Sequence, residues 1–320
     1  MRLFKDASYP FIEARRKAYV LSAAVLLSGI AAMVINVATI GSWQDYGVDF
    51  TGGSLIQVEF SAPITASELR DALGGAQAPP ITRFGDEDEN EFVIRAPIAE
   101  DLSITDVADE IESDLAVAVG AGTFQVVSTQ AVGAKVAGEL QVKALYAILF
   151  SFVLTLMYLA MRFELRFGLA AVIATLHDIL ITLGFLAVFR VEIALPTVAA
   201  ILTILGYSLN DTIVVFDRIR ENLHKKGARK RDQIELVNES INETLPRTVL
   251  TSGTTLAVLL ALYLLGGAVI RDFTVVLILG VMIGTYSSIF VAAPALIEIQ
   301  TKWGLGKSAD QKKRPQPATV

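Results

Sequence analysis

The stretch GYSLNDTIVVFDRIRENL, residues 206–223, places a carboxylate, Asp211, near the end of a long apolar run. It is the one acidic or basic side chain between Leu195 and Phe216. A charge at membrane depth costs roughly 3 kcal/mol on insertion scales, so a residue kept there needs a partner or a task. Two further apolar runs carry polar groups at helical spacing. In the first, Ala171, Ala174, Thr175, Asp178 and Thr182 share a face with His177 beside them; in the second, Arg247, Thr251, Thr254 and Thr255 form a stripe. Asp211 shares its own face with Ala200, Tyr207 and Ser208, while Leu202, Leu205, Leu209 and Ile213 fall opposite. The spacing predicts three helices that offer an acid, an acid and a base to one interior.

The chemistry follows from desolvation, which disfavours the charged form of a carboxylate unless a cation stands near. An aspartate facing an arginine across a wet crevice switches between a paired and a protonated state, and that is the core of a proton relay. Asp211 and Arg247 are the expected relay pair, with His177, Asp178, Asn210, Thr251 and Thr255 as the supporting polar network. Each proton crossing yields roughly 2.3 kcal/mol per 100 mV of potential. Sodium, which a buried carboxylate also handles, stays open as the coupling ion, and a static ion pair that fixes helix register is the bland alternative.

Other chemistry finds no support. There is no G-x-x-x-x-G-K-[ST] loop and no H-E-x-x-H, His177 and His224 are far apart, and the chain has no cysteine. The flanks LHD and LND lack the G-x-G-D context of intramembrane aspartyl proteases, so no enzyme, cofactor or metal is expected.

Positioning such residues requires membrane spans. The chain is 53% hydrophobic, and a hydrocarbon core about 30 Å thick takes roughly 20 apolar helical residues. Six stretches qualify, at about 19–40, 142–161, 167–189, 196–217, 246–266 and 273–296. Lys and Arg cluster in residues 1–18, in a basic loop at 217–245 and in a tail at 298–320 that reads as disordered. The positive-inside rule therefore puts both termini in the cytoplasm and residues 41–141 outside. That outer segment holds 18 acidic and four basic residues, a balance unsuited to nucleic acid. Its patterns run strand (SLIQVEF), helix (ITASELRDALG, with Thr65 and Glu68 as a capping box), short strand (ITRF), strand (EFVIRAP), helix (SITDVADEIESDLAVAV) and strand (TFQVVSTQAV). This β-α-β-β-α-β order predicts an α+β, ferredoxin-like periplasmic domain beside a bundle of six transmembrane helices, with GDEDENE at 85–91 as a hairpin tip.

Four motifs, GVDFTGG at 47–53, LHD at 176–178, GYSLNDTIVVFDRIREN at 206–222 and LPRTVLTSGTT at 245–255, together resemble the SecD/SecF family of protein-export membrane proteins. The resemblance implies half of a resistance-nodulation-division type transporter in a bacterial inner membrane, with SecD supplying the other six spans. It further implies that the proton motive force moves the periplasmic domains, which pull unfolded preproteins emerging from the SecYEG channel after the ATPase SecA has begun the push. The family's aspartate in the fourth span falls on Asp211 and its arginine in the fifth on Arg247. Gly47, Asp49, Gly52 and Gly53 read as a hinge between the first span and the domain. The small-residue runs GGAV and GTYSS are candidates for the SecD contact. Two alternatives stay open: a proton-driven exporter of lipids or small molecules from the same superfamily, and a non-transporting membrane scaffold.

Overall fold

A computed structural model describes residues 8–75, 78–85, 90–96, 104–225, 231–267 and 270–303. Six of its helices are long and apolar enough to cross a membrane. They are α1 (Arg15–Ile40), α5 (Ala134–Arg162), α6 (Leu165–Phe189), α7 (Leu195–His224), α8 (Gln233–Leu265) and a last span, Arg271–Lys302. In hydrocarbon every backbone N–H and C=O must find a partner within the segment, which is why these runs are helical. The last span consists of α9 (Arg271–Ser287), a π-helical turn at Ser288–Ala292 and α10 (Ala293–Trp303). Pro294 explains the widened turn, because it has no N–H to donate and its ring crowds the carbonyl four residues earlier.

Between α1 and α5 the chain builds the predicted domain. A short helix α2 (Val48–Thr51) leads into β1 (Gly53–Phe60), α3 (Ala66–Ala72), β2 (Ile81–Phe84), β3 (Glu91–Ala96), α4 (Ile104–Leu115) and β4 (Phe124–Val132). The sheet is antiparallel in the order β2-β3-β1-β4, the ferredoxin-like arrangement. Thr65 and Glu68 start α3 as a reciprocal capping box, the Thr65 hydroxyl receiving the Glu68 N–H and the Glu68 carboxylate receiving the Thr65 N–H. Ile56, Val58, Leu69, Phe92, Ile94 and Leu115 fill the core beneath the sheet.

The helices outrun the apolar stretches at the end away from the domain. Much of 217–245, expected as a basic loop, is helical: α7 continues to His224 and α8 begins at Gln233, capped by Asp232. Ion pairs across these extensions, Arg218 to Glu243 at 2.6 Å and Asp217 to Arg162 at 2.9 Å, tie the polar turns together. The tail expected at 298–320 is helical as far as Trp303, and residues 304–320, together with 1–7 and the acidic positions 86–89, lie outside the described residues.

Burial is uneven among the spans. Only 6% of the apolar window of α5 is buried against 56% for α7, so α7 runs through the middle of the bundle while α5 lies along its outside. Two apolar cores flank the polar interior. One, around Phe167, Phe216, Leu236 and Leu296, closes the end away from the domain; the other, around Phe50, Leu186, Ile201 and Val276, closes the domain end.

Candidate functional site: an interior carboxylate and hydroxyl cluster

Glycines on α9 set the geometry of the interior. A Cβ on Gly284 would sit 2.9 Å from the Cβ of Ser208, and one on Gly280 would overlap Ile204, so the two helices approach at backbone distance. GTYSS is therefore consumed by packing inside the chain. Close approach brings Thr285 of α9 to Asp211 of α7, where its hydroxyl lies 3.4 Å from Oδ2. Ser252 of α8 donates to the same oxygen at 3.3 Å. The two hydroxyls are 2.7 Å apart, and the Tyr207 hydroxyl donates to Ser252 at 3.4 Å. Asp211 is 2% exposed. A hydroxyl can donate to a carboxylate or accept from a carboxylic acid, so this set can satisfy Asp211 in either protonation state.

A second acid, on α6, meets α7 at Ser208, one helical turn before Asp211. Asp178 of α6 accepts hydrogen bonds from Ser208 and, at 2.7 Å, from Ser287. Its other oxygen lies 2.9 Å from Nδ1 of His177, whose Nε2 lies 3.0 Å from the Ser22 hydroxyl of α1. Tyr286 completes the chain, with its hydroxyl 3.2 Å from that of Ser22 and donating to the Ala18 carbonyl at 3.0 Å. The two clusters share elements: Ser208 and Asp211 are three residues apart on α7, and Thr285 and Ser287 are two apart on α9.

The structure places the sequence-derived residues unequally. Asp211, His177 and Asp178 are buried in the interior, and the small face of α6 from Ala171 to Thr182 is buried as expected. Arg247 is exposed on the outside of α8 and makes no ion pair with Asp211, although its charge still acts on it through space. The hydroxyls of Thr251 and Thr255 are spent on their own helix, on the carbonyls of Arg247 and Thr251, and Asn210 is exposed. The inward face of α8 is thus marked by Ser252, not by the arginine stripe. Leu205 and Leu209, expected on the far side of α7, are buried as well, because α7 is central; its open face is Ala199, Thr203, Gly206 and Asn210.

The GVDFTGG segment is packed rather than loose. Gly47 donates its N–H to Ile193 at 3.0 Å and Ile193 donates to Asp45 at 2.8 Å, while Asp49 accepts the N–H of Leu195 at 2.9 Å. Gly52 and Gly53 take φ values of +74° and +132°, and a Cβ on Gly53 would lie 2.9 Å from the Ala96 carbonyl oxygen. Only glycine suits both demands.

Fold and interior together define a multi-pass membrane protein with a ferredoxin-like domain inserted after its first span and a buried acid-and-hydroxyl cluster. Residues 113–302 match the family described as protein export membrane protein SecD/SecF, C-terminal, and residues 45–64 match the SecD/SecF GG motif. The chain belongs to the SecD/SecF family. It is 44% identical to a protein translocase subunit SecF of Gemmatimonas aurantiaca, over 95% of this chain and 90% of that one. A SecF of Desulfurispirillum indicum is 44% identical as well, with 90% of each chain covered. The crystal structure of SecDF from Thermus thermophilus, a translocon-associated membrane protein, superposes with a TM-score of 0.79 at 36% identity, covering 94% of this chain. The chain spans 40% of the length of that SecDF protein.

Proposed function

We propose that this chain is an accessory, non-enzymatic subunit of the Sec protein translocase that pairs with a SecD-type half and converts an ion gradient into movement of its outer domain. The reading has the chain in a bacterial inner membrane with both termini cytoplasmic and the domain periplasmic, acting on unfolded preprotein downstream of SecYEG and SecA. The observation that carries it is the enclosure of Asp211, inside the fourth span, by the hydroxyls of Ser252 and Thr285. A carboxylate kept at that depth without an ion pair is costly unless it works. With the proton as coupling ion, loading and unloading of Asp211 exchanges donor and acceptor roles within the cluster. Arg247 approaches from the outer face of α8 in the state that releases the proton. Sodium, with the same oxygens as ligands, is the competing ion.

The test is preprotein translocation into inverted vesicles with the SecD half present, comparing wild type, Asp211→Asn and Arg247→Met with and without an uncoupler. Loss of the gradient-dependent part with the ATP-dependent part kept supports the reading. Wild-type behaviour of Asp211→Asn would reduce Asp211 to a structural polar group.

A further inference from the structure

The outer domain touches the bundle through more than its two chain connections. Arg95 on β3 forms an ion pair with Glu192 in the loop joining α6 to α7, and the pair is largely shielded, with side-chain exposures of 26% and 16%. The Arg95 charge also acts on Asp272 at the start of α9. Glu192 leans on Gly47, where a Cβ would overlap its carboxylate. Gly47 has an ordinary φ of −71°, so glycine is required there for room, not for conformation. Beside this pair the segment 45–47 runs parallel to Ile193, and Asp49 accepts from Leu195, the first residue of α7. Phe50 is buried among Leu186, Ile193 and Val198, which leaves the segment little freedom to swing.

We infer that Glu192 and Asp49 are positioning residues that grip the first turn of α7 and bind it to the outer domain, so that displacement of α7 at Asp211 reaches the domain directly. The inference rests on the ion-coupled reading of Asp211. Leu195 and Asp211 are 16 residues apart on one unbroken helix, about 24 Å at 1.5 Å per residue. A helix is stiff along its axis, so an axial shift at one end appears at the other. Flexing at the glycine motif is then unnecessary, and the grip stays closed through the cycle.

The absence of cysteine from the chain makes the test clean. Arg95→Glu and Glu192→Arg each oppose like charges, and each is expected to cut the gradient-dependent part of translocation about tenfold, the factor that 1.4 kcal/mol produces. The double exchange restores it, and Gly47→Ala reproduces the Glu192 defect. The ATP-dependent part stays at wild-type level throughout. An Arg95→Cys, Glu192→Cys pair joined by a cleavable thiol cross-linker should keep gradient-dependent activity, and this arm decides if the single variants fold poorly. Arrest on cross-linking with recovery on cleavage would mean that the grip must open and would overturn the inference, as would single variants with full activity. Asp211→Asn is run alongside: if it retains the gradient-dependent part, the ion-coupled reading falls and takes the grip with it. If Asp211→Asn loses that part while the grip variants keep it, the grip alone is wrong.

Discussion

Ser252 of α8 donates a hydrogen bond to the carboxylate of Asp211 on α7 across 3.3 Å. The contact makes Ser252 the α8 residue that meets Asp211, five positions beyond the exposed Arg247. Removing one donor hydroxyl forfeits about 1 kcal/mol of net hydrogen bonding. Ser252→Ala should therefore lower gradient-driven translocation several-fold, and Ser252→Thr, which keeps the hydroxyl, should retain most of it. Thr251→Ala, whose hydroxyl only bonds its own helix, should leave the rate unchanged. Uncoupler-sensitive translocation measured for the three variants distinguishes them; equal loss in Ser252→Ala and Thr251→Ala would point to a general defect of α8.

Close helix approach makes a separate, purely steric prediction. α1 and α6 meet at Gly29 and Gly184, where a Cβ on Gly29 would stand 2.6 Å from the Gly184 Cα. The obstructing atoms are backbone and cannot rotate away. Overpacking of this kind costs typically about 1–3 kcal/mol. Gly29→Val should lower the thermal midpoint of the purified protein in detergent by that amount of stability. Gly168→Ala, with no atom near the added methyl, should match wild type or exceed it.

The ferredoxin-like domain offers a pH-dependent case. Hydrogen bonds from the backbone and hydroxyl of Thr65 hold the exposed Glu68 carboxyl below the usual carboxylate range. A lowered folded-state pKa stabilises above the unfolded value, and the contribution disappears as pH falls through the folded one. The protection of the first-turn amides of α3, taken relative to the intrinsic exchange rate at each pH, should therefore fall on acidification below the ordinary glutamate range. Thr65→Ala, which removes the cap at a cost of about 1 kcal/mol, should lower that protection already at neutral pH and flatten the acid response. An unchanged acid limb in that variant would separate Glu68 from the effect.

How far these features were legible depends on how rare the residue types are. Asp211 and Asp178 stand out because an acid in an apolar run has few bland explanations, and the capping box of α3 is a local rule that needs no tertiary knowledge. The six spans are visible because lipid demands length and apolarity. Hydroxyls carry no such signal: Ser252, Thr285, Ser287 and Ser22 resemble every other small polar residue in a span, and only the packing of α1, α8 and α9 around α6 and α7 singles them out. Arg247 is the opposite case, expected on the inward face of α8 and found on its outer one. A charge draws the eye, but which face of α8 turns inward is set by neighbours that its own periodicity does not reveal. The helical extensions past 217 were hidden because they are polar, held by cross-helix ion pairs rather than by an apolar stripe.

The chain of contacts through His177 yields a prediction about coupling between helices. Asp178 acts as the acceptor for Ser208 and Ser287, and the Nδ1 of His177 lies 2.9 Å from its other oxygen. With the proton on Nδ1, Nε2 accepts from Ser22 at 3.0 Å, and α1 is thereby tied to α6, α7 and α9 through one imidazole. Truncating His177 leaves Asp178 short of a donor and the Ser22 hydroxyl without its acceptor. Unsatisfied buried groups cost about 1–3 kcal/mol each. His177→Ala should lower stability in detergent by about that much and Ser22→Ala by less. The double variant should fall short of their sum, since the second substitution removes a group the first had already orphaned. Additive losses would mean that Ser22 and His177 contribute separately, and α1 would then be held to α6 by other contacts, among them the Gly29–Gly184 approach and the bond from the Asn36 amide to the Ala187 carbonyl.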